Sequence, residues 1–194
     1  MISTILLAAG LSQRFGSPKP LVVLNNKTII ELHQQKLLDS GANEIIVVLG
    51  SSREAIEPYV FNHKRIKVVY NKDYKLGQTS SFKCGLGALS SECNGIMLLP
   101  VDYPFIQEVT FENLIKHFNE NHPLILIPTF HNAKGHPPIY DISLKNDFEK
   151  LSDHEGLNAI ARRYQKEVRF FTTEDEGVVQ SFNTKEEFEK LVKG

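Results

Sequence analysis

The sequence lacks the features that would indicate a disulfide-rich, metal-rich, membrane or nucleic-acid-binding protein. It has no tryptophan, and its two cysteines among 194 residues, Cys84 and Cys93, lack the CxxC spacing of a zinc site. The formal net charge of −1 gives no basic surface for nucleic acid. No apolar run approaches the roughly 20 residues of a transmembrane helix. The N-terminal MISTILLAAG has no basic segment. We therefore expect a cytoplasmic protein with no nucleic-acid or membrane partner.

Short apolar segments alternate with helical patterns over the first 130 residues. The periodicity predicts strands at 3–9, 44–50, 66–71, 95–102 and 124–129, and helices at 28–41, 53–60, 79–91, 108–120 and 184–192. Unbroken apolar strands separated by helices indicate a parallel sheet with both faces covered. We predict one domain, 1–194, of the α/β class, with a doubly wound, mostly parallel, Rossmann-like sheet. After residue 130 the pattern changes, which indicates a small inserted lobe and a strand that returns to the sheet.

The loop after the first strand carries the clearest functional signal. It reads LLAAGLSQRFGSPK over 6–19, and it follows the carboxyl end of a strand, where ligands of such sheets bind. Small residues let a phosphate approach the backbone, Arg14 offers a planar fork, and Lys19 offers a mobile charge. The alternative is a surface loop with incidental charges. The P-loop pattern GxxxxGK[ST] is absent, and GLGALSS at 85–91 lies inside a predicted helix, which favours a helix-packing role.

This loop resembles the LAAGxSxRxGxxK signature of nucleotidyltransferases that transfer NMP to a phosphate. Among these it is most similar to the MobA-like group, which includes molybdenum cofactor cytidylyltransferases and guanylyltransferases. The resemblance covers almost the whole chain and implies a nucleotide-diphospho-sugar transferase type of fold. It implies that Arg14 holds phosphates and that Lys19 is the catalytic cation. The other nucleotide-binding residues that it implies in this loop are Leu7, Ala8, Ala9, Gly10 and Ser12.

Three later segments resemble further motifs of the same family. NKDYKLGQTSS (71–81) is similar to the family's N-x-x-W-x-x-G-M-x-x-S segment, which contacts the nucleobase, although plain helix capping is the alternative. The residues that this similarity implies are Gly77, Gln78, Thr79, Ser80 and Ser81. LLPVDYP (98–104) resembles a D-x-P segment, which implies that Asp102 binds Mg²⁺. In QSFNTKEEFEKL (180–191), Asn183 stands at a second metal position and Thr184 is expected to cap the last helix, with Glu187 completing a capping box.

The acceptor side of the predicted site is less well defined. KGHPPIY (134–140) resembles the family's G-x-P segment, which implies that Gly135 and His136 contact the acceptor, although a solvated loop histidine is the alternative. DHEGLNAI (153–160) resembles a G-D-x-G-x-R segment. Here His154 and Asn158 replace the aspartate and the arginine, which weakens this part of the resemblance.

Together these features predict a Mg²⁺-dependent nucleotidyltransferase. The resemblance favours CMP transfer from CTP to molybdopterin with release of pyrophosphate, because the loop begins Ala-Ala-Gly where guanylyl members often begin with two glycines. Rival predictions are a guanylyltransferase and a nucleotidyltransferase for a sugar phosphate or methylerythritol phosphate. A further rival is a non-catalytic chaperone that delivers a cofactor to a molybdoenzyme partner. A pure carrier has no need of Lys19 and Asp102, so their presence favours the enzyme.

Overall fold

The computed structural model describes residues 1–193. Its strands are β1 (Ile2–Ala8), β2 (Val23–Leu24), β3 (Lys27–Thr28), β4 (Glu44–Leu49), β5 (Ile66–Tyr70), β6 (Gly95–Pro100), β7 (Ile125–Phe130), β8 (Ala133–Lys134), β9 (Ile139–Asp141) and β10 (Val168–Thr172). Its helices are α1 (Ile29–Asp39), α2 (Arg53–Ile56), α3 (Gln78–Leu86), α4 (Glu108–Asn121), α5 (Lys145–Glu149), α6 (Asn158–Arg163) and α7 (Lys185–Lys193). No helix in this range is long and apolar enough to cross a bilayer.

Eight strands form one mostly parallel sheet, as the sequence predicts. Its order is β10-β7-β9-β6-β1-β4-β5, with β8 paired to β7, while β2 and β3 form a separate hairpin. Strand β9 runs antiparallel to both β6 and β7. The chain proceeds from β1 outward to β4 and β5 and then returns to β6 on the other side of β1. The carboxyl ends of β1 and β6 therefore flank the switch point where ligands bind in such sheets.

Both faces of the sheet are covered because its central strands are apolar on both sides. Every residue of β1, β4 and β6 is buried. Successive side chains of a strand point to opposite faces, so Leu6 packs in the core with α1 and α4, and Ile5 packs in the core with α3, α5 and α6. Gly85 of α3 lies so close to β1 that a Cβ there would be 2.6 Å from Cγ2 of Ile5, which confirms the helix-packing role of this glycine.

The structure corrects several predicted boundaries. Helix α3 ends at Leu86 rather than 91, and its N-cap is Gly77 with no side-chain cap, so neither Thr79 nor Ser80 caps it. The helix predicted at 53–60 is α2 followed by a 3₁₀ turn, Glu57–Tyr59, because Pro58 cannot donate the next helical hydrogen bond. The last helix begins as expected: Thr184 Oγ1 accepts from Glu187 N at 3.2 Å.

Candidate active site

A cavity of about 370 Å³ opens at the switch point, above the carboxyl ends of β1 and β6. The predicted phosphate-binding loop after β1 (residues 9–19, the phosphate loop), the turn before α3 and the loop after β6 all contribute to its wall. Its lining includes all of the predicted nucleotide-loop and metal residues, namely Leu7, Ala8, Ala9, Gly10, Ser12, Arg14, Lys19, Asp102 and Asn183. The structure therefore brings together segments that lie at opposite ends of the chain.

Ser12 gives the phosphate loop its shape. This residue has a left-handed φ of 50°, and its carbonyl accepts hydrogen bonds from the N–H groups of Phe15 and Gly16. Its Oγ accepts from Lys19 N at 3.1 Å, which leaves the hydroxyl proton free to donate to a ligand. Gly10 faces open space, because a Cβ built there meets no atom within 4 Å. The loop is thus closed on itself while its backbone remains accessible from the cavity.

Aromatic packing explains how Asn183 reaches this loop from the far end of the chain. Phe15 is buried in the middle of the phosphate loop and packs edge-to-face on Phe182, with ring centroids 5.4 Å apart. Phe188 of α7 packs against both rings. The backbone N–H of Phe182 also donates to the carbonyl of Asp102 at 3.3 Å. These contacts fix the C-terminal segment against both the phosphate loop and the loop after β6.

Lys19 lies at the centre of a compact charged cluster. Its Nζ donates to Asp102 Oδ2 at 3.0 Å, to Asn183 Oδ1 at 3.1 Å and to the carbonyl of Phe182 at 2.7 Å. Arg14 Nη2 donates to the same Asn183 Oδ1 at 2.9 Å. The side chains of Lys19 and Asp102 are only 12% and 24% exposed, so the ion pair is partly shielded from water. Two cations and one carboxylate leave the cluster with a net positive charge, which suits a polyphosphate.

Helix α1 holds the loop that carries Asp102. His33 is fully buried, and its Nε2 lies 3.0 Å from the carbonyl of Val101. Burial lowers the pKa of His33 to about 4, so the ring is neutral near pH 7 and Nε2–H is the donor. Lys36 Nζ donates to the carbonyls of Pro104 and Ile106 at 2.9 and 2.7 Å. No motif marks these two residues in the sequence. Their only local signal is that two polar side chains lie within one turn of a predicted amphipathic helix.

The segment before α3 contributes only part of its predicted set to this cavity. Gly77, Gln78 and Ser81 line it, and Gly77 has a φ of 106° that a glycine accommodates. Thr79 and Ser80 are absent from the lining: Thr79 Oγ1 donates to the carbonyl of Glu155 at 2.6 Å, and Ser80 Oγ donates to the carbonyl of Asp73 at 3.0 Å. Their hydroxyls therefore support the turn.

Tyr74 and Lys75 also line this cavity, although neither was among the predicted site residues. Tyr74 packs tightly on Gly50, where a Cβ would lie 2.6 Å from the Cβ of Tyr74. A signal was present, because Tyr74 occupies the tryptophan position of the N-x-x-W segment that this stretch resembles.

A second cavity of about 560 Å³ adjoins the first, and Gln78 lines both. Gly135 and His136 line it as predicted. A Cβ at Gly135 would lie 2.5 Å from the carbonyl oxygen of Val178, so the missing side chain admits protein backbone. The ring of His136 packs on Tyr103, with centroids 4.5 Å apart, and burial lowers its pKa. Its Nδ1 is buried without a hydrogen-bond partner among the described residues.

Comparison with known families identifies this architecture. The profile of the MobA-like NTP transferase domain matches residues 4–168. The chain belongs to this family. It is therefore a nucleotidyltransferase by family, as the phosphate-loop motif predicts, and the resemblance stated from the sequence is confirmed.

Individual relatives of this MobA-like chain carry different names. It is 28% identical to a probable molybdenum cofactor guanylyltransferase of Geobacillus sp. (strain WCH70), over 97% of this chain and 96% of the relative. It is 25% identical to the nicotine blue oxidoreductase of Paenarthrobacter nicotinovorans, over 98% and 96% of the two chains. The crystal structure of Rv0371c from Mycobacterium tuberculosis H37Rv superposes with a TM-score of 0.87 at 21% identity, covering 100% of this chain and 98% of that chain. The last comparison shows the shared fold.

The donor atoms present fit a divalent cation that a nucleotide helps to hold. NTP transferases of this family usually depend on a metal, and Rv0371c has also been solved with manganese. No three His, Cys, Asp or Glu side chains converge on one position within residues 1–193. Asp102 Oδ2 and Asn183 Oδ1 do converge, because both contact Lys19 Nζ. Two hard oxygen donors suit Mg²⁺ when phosphate oxygens and water complete the coordination.

Proposed function

We propose that the protein transfers CMP from CTP to a phosphate acceptor, with molybdopterin as the favoured acceptor, and that pyrophosphate is released. The observation that supports this most strongly is the cluster of Lys19, Arg14, Asp102 and Asn183 at the switch point of the sheet. CTP is favoured by the Ala-Ala-Gly start of the loop. GTP is the second candidate, because relatives of the chain are named guanylyltransferases.

In this reaction an acceptor phosphate oxygen bonds to the α-phosphorus, and the bond from that phosphorus to the α–β bridging oxygen breaks. Lys19 and Arg14 offset the charge on the phosphates, and the backbone at Gly10 lets them approach. Asp102 and Asn183 would hold Mg²⁺, which when bound neutralises triphosphate oxygens. No covalent intermediate is required. The two thiols fit this, since burial raises the pKa of both Cys84 and Cys93 and keeps them protonated.

A carrier that hands a molybdenum cofactor to a molybdoenzyme partner is the alternative of another class. Such a carrier needs the second cavity but has no use for a triphosphate-binding cluster. A redox reaction is a further alternative to test, because the relative from Paenarthrobacter nicotinovorans is named an oxidoreductase. Acceptors other than molybdopterin, such as a sugar phosphate or methylerythritol phosphate, require the same phosphate chemistry.

A substrate panel tests the proposal. CTP, GTP, ATP and UTP are each combined with Mg²⁺ and with molybdopterin, a sugar 1-phosphate or methylerythritol phosphate, and pyrophosphate release is measured. We expect release with CTP and molybdopterin. Pyrophosphate release only with GTP would mean that GTP, and not CTP, is the nucleotide donor. No release with any pair of nucleotide and acceptor would refute the proposed transferase activity. An added NAD(P)H-oxidation assay covers the redox alternative.

The same panel tests the role of Lys19. Lys19→Met should lower turnover about 100-fold or more, because it removes one preorganised charge from the transition state. Lys75→Met is the matched control: Lys75 lines the same cavity and forms no ion pair within residues 1–193. Turnover of Lys19→Met within about threefold of the parent would remove Lys19 from the catalytic assignment.

A further inference from the structure

The second cavity carries positive charge that no acidic side chain in its wall offsets. Its lining includes Lys134 and Arg162, and it includes no aspartate or glutamate. In the part of the chain that the structure describes, neither cation forms an ion pair. The wall therefore has two unneutralised cations, which favours a ligand with an anionic group.

The register of α6 directs Arg162, and not its neighbour, toward this cavity. Asn158 and Arg162 are four residues apart and so share one face of the helix, and both line the cavity. Arg163 faces α5, where its Nη1 lies 3.2 Å from Asp147 Oδ1. Two adjacent arginines thus have different environments, one paired within the protein and one available to a ligand. A guanidinium binds a phosphate or carboxylate through two parallel hydrogen bonds.

The rest of the wall is largely apolar and aromatic. Tyr103, Tyr140 and Phe170 line the cavity together with Leu98, Ile127, Leu157 and Val168. Phe170 is half exposed, and Lys134 Nζ lies 5.3 Å from the centre of its ring. A cavity of this composition binds a ligand whose body is apolar or ring-shaped and whose charge lies at a separate oxyanion group. Inorganic phosphate alone leaves most of this wall uncovered.

We propose that Arg162 binds an oxyanion group of the acceptor and so contributes to acceptor affinity, with Lys134 as the second charge. This inference rests on the proposed function, since it assigns the second cavity to the acceptor. Arg162 then contributes to acceptor affinity and not to the chemical step, because the groups that act on the triphosphate line the first cavity.

The test compares Arg162→Gln with Arg163→Gln, a change of the same charge on the same helix. Acceptor KM, nucleotide KM and kcat are measured by pyrophosphate release with the best acceptor of the panel. Arg162→Gln should raise acceptor KM about 10- to 100-fold, the usual effect of losing a hydrogen bond to a charged group. It should leave kcat and nucleotide KM unchanged, and Arg163→Gln should change none of the three. Arg162→Lys should show an intermediate acceptor KM, because lysine keeps the positive charge but lacks the guanidinium that donates two parallel hydrogen bonds.

Two further measurements separate the possible failures. Calorimetric titration with molybdopterin and with each other panel acceptor, in the absence of nucleotide, should show weaker binding to Arg162→Gln than to Arg163→Gln. Raising the salt concentration should weaken acceptor binding to the parent more than to Arg162→Gln. Equal binding by the two variants, or no binding to the parent, would overturn this inference. If acceptors bind as expected but no pair releases pyrophosphate, the proposed function fails and the role of Arg162 in ligand binding remains.

Discussion

Lys19 should exclude a free divalent cation from Asp102 and Asn183 until a nucleotide binds. Its ammonium contacts one oxygen of each residue, at 3.0 and 3.1 Å, in the space between them where a cation would bind. A metal ion that binds there alone must displace the ammonium or lie beside it against charge repulsion. A bound triphosphate would give Lys19 a new anionic partner and so release the oxygens of Asp102 and Asn183. Replacing Lys19 with methionine should therefore strengthen metal binding in the absence of nucleotide, while it lowers turnover.

The size of this effect follows from the hydrogen bonds between the Lys19 ammonium and the oxygens of Asp102 and Asn183, which a metal ion must replace. A hydrogen bond to a charged group contributes about 1.5–3 kcal/mol net, and the contact with the neutral Asn183 contributes less. Asp102 is partly shielded, so solvent weakens the ion pair less than it would on an open surface. Removal of the ammonium should then raise the affinity for free metal roughly 10- to 100-fold. Removal of the same ammonium should lower kcat, because its charge no longer stabilises the transition state.

Manganese provides a direct readout, because electron paramagnetic resonance measures free Mn²⁺ during a titration. The parent, Lys19→Met and Lys75→Met are titrated with and without CTP. We expect weak binding to the parent and to Lys75→Met without CTP, and tighter binding to Lys19→Met. Asp102→Asn combined with Lys19→Met should lose the gain, which assigns the gain to this site. Equal or weaker Mn²⁺ binding by Lys19→Met without CTP would refute the competition.

Two other predictions follow from the same region. Metal and CTP should each raise the affinity of the parent for the other by the same factor, and Asp102→Asn should lose most of this coupling and nearly all turnover. Titrations of both proteins with CTP, with and without Mg²⁺, measure the coupling. Equal coupling in the two proteins would show that Asp102 is only a turn residue. His33 should make stability depend on pH: the unfolded ring gains a proton near pH 6.5 while the folded ring stays neutral to about pH 4, so the free energy of unfolding falls as pH falls through this window. The contribution of His33 to this loss between pH 8 and pH 5 should be about 2 kcal/mol. Urea unfolding at the two pH values should therefore show a smaller loss for His33→Gln than for the parent.

The sheet, and the sheet edge that carries the candidate site, could be predicted from the sequence for simple physical reasons. Strands buried on both faces are continuous apolar runs, so β1, β4 and β6 are visible without any knowledge of their neighbours. The connection rules for parallel strands then place the loops after β1 and β6 at one edge of the sheet. These rules place the segments of Lys19 and Asp102 at one edge, whereas the roles predicted for the two residues came from the family resemblance. The structure places the two side chains in contact.

Side-chain partners could not be predicted, because they depend on packing between distant segments. Thr79, Ser80 and Ser81 are consecutive hydroxyl residues that the sequence does not distinguish. Of these three, only Ser81 lines the first cavity. Nothing local distinguishes Arg162 from Arg163, since the difference comes from which face of a short helix meets α5. The buried contact of His33 with Val101 likewise joins residues 68 positions apart.

The resting cluster is better suited to a metal–nucleotide complex than to either component alone. Arg14 and Lys19 against Asp102 leave one positive charge, which attracts a triphosphate and repels a free cation. The contact between His33 of α1 and Val101 fixes the loop that carries Asp102. The Phe15–Phe182 contact fixes the segment that carries Asn183 against the phosphate loop. The charges of the cluster are therefore oriented before any ligand binds. Preorganised charges need little rearrangement in the reaction and therefore stabilise its transition state well. Under the proposed function a triphosphate would neutralise this site and complete the coordination of the metal, so we expect metal and nucleotide to bind together.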